Sequence, residues 1–244
     1  MRHAPRLRFS LRPFLAAIVV LAPGLAHAGL WGVNTGSVDA QANFTINTTA
    51  QTLTIDLTNL LTGSQIKDIS QNISAIIFSG TNLGNSTSVT ETAPDGYSSV
   101  SKLGKSSTAT SSSVGWVFSS PGTNEFEFDD LSGSGHAGPA HTVIGLPDSN
   151  SKYVNANSSI TGNGPHNPFV TRTAEFILHY NGGLSANSHI SQVTIQFGTT
   201  DGSSQFQAFS EAPEPSPFVL SGILLSAIVL GRKYTRRRAH AAGA

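Results

Sequence analysis

Between Thr52 and Thr58, Leu53, Ile55 and Leu57 alternate without a break with Thr52, Thr54, Asp56 and Thr58. This alternation constrains the fold more than any other feature of the chain. Only an extended strand, whose side chains point to opposite faces in turn, sorts such a run into one dry face and one wet face. The pattern recurs. Phe44 and Ile46 sit between polar neighbours, and Phe126 and Phe128 alternate with Glu125 and Glu127. Ala174, Phe176, Leu178 and Tyr180 alternate with Glu175, Ile177 and His179; Val193, Ile195 and Phe197 alternate with Gln192, Thr194 and Gln196. Ala75, Ile76, Ile77 and Phe78 are continuously apolar, as in a strand covered on both faces. Turn sequences separate the runs: Pro94-Asp95-Gly96, Pro121-Gly122, Asn181-Gly182-Gly183 and Asp201-Gly202. Short strands divided by Gly/Pro turns predict an all-β fold, a single β-sandwich of jelly-roll-like winding over residues 29–211. The nearest approach to a helical period, residues 62–74, is weak. Residues 98–113 and 132–168, rich in Ser, Thr, Gly, Pro and Asn, read as long loops, where a rigid scaffold carries its binding sites.

Composition narrows the function. Charged residues make up 11% of the 244, and Cys is absent, which excludes a disulfide framework, thiolate metal sites and a cysteine nucleophile. The 14 basic and 14 acidic residues cancel, but not locally. Residues 29–211 hold five basic residues (Lys67, Lys102, Lys105, Lys152 and Arg172) against 13 acids, a net of −8. Such a body lacks the phosphate-neutralising surface that nucleic acid requires, so no nucleic-acid partner is expected.

The missing positive charge lies at the two ends. Arg2, Arg6, Arg8 and Arg12 precede an apolar run beginning at Phe14, and Ala26-His27-Ala28 supplies small residues in an A-x-A arrangement. This is the layout of a secretory signal peptide over residues 1–28, a signal helix to be cut between Ala28 and Gly29 by signal peptidase after entry into the Sec translocon. At the other end, Pro213-Glu214-Pro215 is followed by an apolar run over residues 218–230, then by Arg232, Lys233, Arg236, Arg237 and Arg238, and a six-residue tail over residues 239–244. Thirteen helical residues rise about 20 Å, short of the roughly 30 Å hydrocarbon core, but snorkelling basic side chains and local thinning of the bilayer close the gap. The basic cluster acts as a membrane stop and keeps its own side cytoplasmic.

Triplet, short apolar helix and terminal arginines in that order resemble the PEP-CTERM sorting signal of Gram-negative bacteria, over residues 212–238. The resemblance implies that an exosortase, a membrane protease-transpeptidase, recognises Pro213, Glu214 and Pro215. The prolines fix φ and hold the segment extended, a form a protease cleft can accept. It further implies export across the inner membrane, a transient membrane anchor, and a final place at the cell surface or outside, in association with exopolysaccharide. Pro217 and the length of the final tail depart from the usual pattern.

The body offers few catalytic signals, and the expectation is a non-enzymatic protein without a cofactor. His136, His141 and His166 lie in the loop-rich half near Asp129, Asp130 and Asp148, but their spacing fits no compact zinc motif. Asp129-Asp130 has neither EF-hand nor RTX-type spacing and reads as a solvated strand end; no metal is expected. Glu125 and Glu127 fall on one strand face, where a glycosidase pair or simply a wet face would place them. Trp31, Tyr97, Trp116 and Tyr153 are the aromatic candidates for sugar stacking, with Trp116 and Tyr153 as candidate glycan contacts, although a strand Trp such as Trp116 also fits a core. The reading is therefore an exported surface or matrix protein, with a carbohydrate-binding module or a secreted hydrolase as the alternatives.

Overall fold

A computed structural model describes residues 26–111, 113–122 and 124–211. Every regular element of four residues or more in it is a β-strand, and the strands form two sheets in a sandwich-like arrangement. The six-stranded sheet runs in the order β15 (Phe209–Glu211), β1 (Ala26–Asn34), β2 (Asp39–Asn47), β3 (Thr52–Asn59), β12 (Thr173–Tyr180) and β5 (Ser86–Thr92). The larger sheet runs β14 (Gln205–Gln207), β13 (His189–Phe197), β4 (Ile73–Thr81), β10 (Val143–Ile144), β11 (Phe169–Thr171), β6 (Tyr97–Val100) and β7 (Ser106–Ala109). β4 is a branch point. It pairs with β10 at Ile73 and with β9 (Glu125–Asp129) from Ala75 to Ser79, and β9 in turn carries β8 (Val117–Gly122).

Alternation explains the packing. Along β2 and β3 the burial pattern is strictly periodic, and Phe44, Ile46, Leu53, Ile55 and Leu57 all turn inward. They meet Ile76, Phe78, Phe126, Phe128, Val193 and Ile195 of the opposing sheet in one core. Aromatic rings join the layers. Phe44 meets Phe78 edge-on at 5.3 Å, and Phe128 stacks on Phe176 at 4.2 Å, with Trp116 5.3 Å from the same Phe176 ring. Ala75, Ile76 and Phe78 are buried as the continuous apolar run predicts, while Ile77 is half-buried on the outer face.

Three local expectations are corrected. Residues 98–113 are not a featureless loop: β6 and β7 form a hairpin with Tyr97 opposite Ala109 and Val100 opposite Ser106. Its inward positions are partly serine. Ser98 and Ser106 are buried, and Ser98 Oγ shares a hydrogen bond of 2.8 Å with Thr171 Oγ1. Pro121-Gly122 lies within β8, and the chain turns instead at Asn124, whose φ is +60°. In residues 62–74 the only helical element is a 3-10 turn, Ile69–Gln71, capped by Asp68.

Residues 132–168 are mostly irregular, but they build a second, smaller core of Leu61, Ile66, Val100, Ile144, Tyr153, Ile160 and Phe169. Tyr153 anchors it, its hydroxyl donating to the Gly145 carbonyl at 2.8 Å. Gly145 has to be glycine, since a Cβ there would lie 1.9 Å from the Leu61 carbonyl oxygen. Removing the Tyr153 hydroxyl as Tyr153→Phe is expected to lower the unfolding free energy by about 1 kcal/mol, and Tyr153→Ala by about 3–5 kcal/mol. Denaturant unfolding of both variants checks this.

Candidate functional site

The outer face of the larger sheet carries a polar groove of about 340 Å³. Register explains its walls. Across β13, β4 and β9 one row reads Thr194, Ile77 and Glu127, and the next reads Gln192, Ser79 and Glu125. Gln205 of β14 closes one side. Ile77 forms a small apolar floor, and the amides, hydroxyls and carboxylates stand around it. Glu127 accepts from Ser119 Oγ at 3.3 Å. Burial, foremost, and the nearby Asp129, Asp201 and Glu125 raise its carboxyl above the ordinary value, against the lowering effect of Ser119. The groove is therefore acidic. It suits a neutral, hydroxyl-rich ligand and repels anions.

Positive charge gathers elsewhere. Lys105 bridges Lys152 in antiparallel register, Tyr153 N–H donates to the Gly104 carbonyl at 2.9 Å, and Ser106 N–H to the Ser151 carbonyl at 2.8 Å. Period two puts Leu103, Lys105, Lys152 and Val154 on one side of this short ribbon, with Tyr153 pointing into the second core. Leu103 is 91% exposed and Val154 57%, and Lys102, next to Leu103, is also exposed. Three of the body's five basic residues thus share one exposed ribbon. The neighbouring Asp148 spends one carboxylate oxygen on the backbone N–H groups of Asn150 and Lys152, each at 2.9 Å.

The residues expected to make a site fare unevenly. Trp116 and Tyr153 are corrected: both are buried, at 4% and 1% exposure, and present no ring face to a glycan. Trp116 lies against Phe176 and donates its indole N–H to the His141 carbonyl. Tyr153 is the anchor of the second core. The three histidines do not converge. His136 Nδ1 accepts from Gly138 N–H, His166 Nδ1 contacts the Ser159 carbonyl, and His141 Nδ1 contacts the Val114 carbonyl at 2.7 Å. Among the described residues no three His, Asp or Glu side chains gather into a metal-holding group. Asp129 and Asp130 are not a solvated strand end, being 2% and 0% exposed.

The address segments fall mainly outside the described residues. Pro213, Glu214 and Pro215, the apolar run, the basic cluster from Arg232 to Arg238 and the signal helix all do. Among the described residues no helix is long and apolar enough to cross a membrane. Ala26, Ala28 and Gly29 open β1, where Ala28 pairs with Thr45 and Gly29 with Phe44. Cleavage between Ala28 and Gly29 would spare Leu30, Trp31 and Gly32, which pair with β15. No protein-family model matches the chain, and no curated protein matches it in sequence.

His141 gives the site region a pH signature. Burial, the larger influence, holds its imidazole below the ordinary value, against the Val114 carbonyl, which favours the charged ring. In the unfolded chain the ring titrates near about 6.5. Its stabilising contribution is thus whole above that value and lost as pH falls through the lower folded value. Unfolding free energy measured from pH 7 to pH 5 is expected to fall more steeply in the wild type than in His141→Gln.

Proposed function

We propose that the chain is an exported, non-enzymatic surface or matrix protein of a Gram-negative bacterium, sorted by an exosortase and associated with exopolysaccharide. The observation that carries this reading is the tripartite C-terminal segment, Pro213-Glu214-Pro215 with its apolar run and its arginines, paired with an N-terminal export signal. The body between them, of jelly-roll-like winding in this reading, is flanked by a signal helix and a short transmembrane helix. Its acidity, few charges and many hydroxyls suit a hydrated polysaccharide setting.

The body's layout supports this orientation. β15 runs antiparallel to β1, from Gly32 toward Leu30, so the chain leaves toward the end of the sheet where β1 begins. The lysine ribbon lies beyond the opposite end, where β3 finishes and Thr62 bridges Leu146. A body tethered by its C-terminal segment would hold Lys102, Lys105 and Lys152 away from its own bilayer, facing an anionic polymer. Replacing Pro213, Glu214 and Pro215 with three alanines is expected to abolish C-terminal processing in cells. An unchanged C-terminal mass in that variant contradicts the sorting role.

A second reading, a carbohydrate-binding module, is favoured by one observation, the groove over Ile77. Its contacts would be Glu125, Gln192, Thr194 and Gln205 in place of the buried Trp116 and Tyr153. Gln192→Ala with Gln205→Ala is expected to weaken neutral-glycan binding at least about tenfold in a pull-down, the loss of one or two net hydrogen bonds. Equal retention by wild type and variant removes this reading and leaves the first intact.

A further inference from the structure

Four of the six buried side-chain polar atoms that lack a hydrogen-bond partner among the described residues belong to three neighbouring residues. They are Asn72 Oδ1, Ser74 Oγ and both carboxylate oxygens of Asp130. All three residues are 0% exposed. A buried polar group without a partner costs free energy, and a buried carboxylate costs the most, so a concentration of them needs a physical cause.

Strand register brings the three together. β4 and β9 pair Ile76 with Phe128 and Ala75 with Asp129. Asp130 N–H donates to the Ser74 carbonyl at 2.9 Å, carrying the ladder one pair further. Ser74 and Asp130 are therefore directly opposed, on the face that sends Ile76 and Phe128 into the core, where opposed Cβ atoms lie about 4.5–5.5 Å apart. Asn72 has extended backbone, φ −86° and ψ 142°, and shares that face about 7 Å along the strand. Its Nδ2 donates to Thr142 Oγ1 at 3.2 Å, which leaves its oxygen free.

The neighbourhood is not careless with polar groups. Asn59 and Gln71, buried nearby, have partners for both amide nitrogen and amide oxygen. Asn59 binds the Gln71 and Val143 carbonyls and the Leu61 N–H; Gln71 binds the Ser37 carbonyl and the Lys67 N–H. Against that background four unpartnered oxygens, one pair of them on a carboxylate, form the ligand set of a hard cation. No sulfur or imidazole nitrogen belongs to the set, so it does not suit a softer metal. A second negative charge lies across the backbone: Asp129 faces the other side, its carboxylate accepting from Leu131 N–H at 2.7 Å and from the Ser132 hydroxyl.

We propose that Asn72, Ser74 and Asp130 form a buried binding site for a hard divalent cation, calcium by its chemistry. Calcium accepts six to eight oxygens in flexible geometry, so the four side-chain oxygens leave room for carbonyls or for water carried in with the ion. Magnesium demands near-ideal octahedral geometry and gives up its own waters reluctantly, which suits a buried site poorly. With no cation bound, burial and the neighbouring Asp129 push the Asp130 carboxyl up to about 9, so calcium displaces a proton as it enters. The segment after Asp130 is punctuated by Gly133, Gly135 and Gly138, all at positive φ, and provides a yielding cover through which an ion can pass. This departs from the sequence expectation of no metal, which judged Asp129-Asp130 by the spacing of loop motifs. Here the oxygens come from two paired strands.

The test is a calorimetric titration of the full-length chain, freed of metal with a chelator, with calcium chloride at pH 7.5. One site saturating below about 10 mM is expected, together with a melting temperature raised by about 5 °C at saturation and a much smaller response to magnesium. Asp130→Asn, close in size and neutral, is expected to lose at least about tenfold in calcium affinity, as is Ser74→Ala if the first variant does not fold. Absence of saturable calcium binding by the wild type overturns the proposal and leaves Asp130 a neutral buried acid. A calcium response kept in full by Asp130→Asn also overturns it and assigns the ion to the exposed carboxylates of the outer groove.

Discussion

Burial of one alternate set of side chains from each sheet against the other is the interaction on which the rest of the molecule depends. Phe44 on β2 reaches Phe78 on β4, and Phe176 on β12 receives both Phe128 and Trp116. Each such aromatic pair contributes roughly 0.5–1.5 kcal/mol beyond the area it buries. It also fixes register, because a slip of one residue would send every one of these rings to the solvent face. Once the inner set is fixed, the outer set is fixed with it. Ile77, Glu127 and Thr194 share a row because Ile76, Phe128 and Ile195 share the one beneath. The acidic groove is the reverse side of the core. The buried polar trio is the continuation of the same inner face past the last phenylalanine, where Phe126 and Phe128 give way to Asp130.

That dependence explains which parts could be read from sequence. β3, β12 and β13 were legible because their inward positions are Leu, Ile, Val and Phe and their outward ones Thr, Asp, Glu and Gln. The β6–β7 hairpin was not, because serines occupy inward positions and hydroxyl pairing through Thr171 replaces apolar contact. Tyr153 was taken for a surface aromatic because its neighbours are Ser151, Lys152 and Asn155. Its burial depends on Gly145 and Leu61, far away in the chain. Asp130 was read as solvated for a similar reason. Nothing local shows that Ser74, on a strand more than fifty residues earlier, will lie opposite it. Position along the sequence gave the strands, but long-range pairing decides which polar residues end up inside.

The proposed function joins two kinds of support. The terminal segments bear on destination and the body on what happens there. Tether and lysine ribbon at opposite ends make physical sense for a protein fixed at one surface and facing an anionic polymer on the other side. An acidic body with one basic ribbon would bind such a polymer through that ribbon alone and so with a defined orientation. A calcium ion held between β4 and β9 would add to this, tying the branch point of the larger sheet only where calcium is plentiful, as it is outside the cytoplasm. Calcium binding and sorting rest on different residues, and either stands without the other.

The central claim is that both ends are temporary and that the sandwich between them works outside the cytoplasm. Intact mass of the native protein recovered from its own cells tests it most directly, since one spectrum reports both termini. The account predicts a chain that begins at Gly29 and has lost the residues following the Pro213-Glu214-Pro215 triplet. A soluble cytosolic molecule that retains Met1 and Ala244 would contradict it.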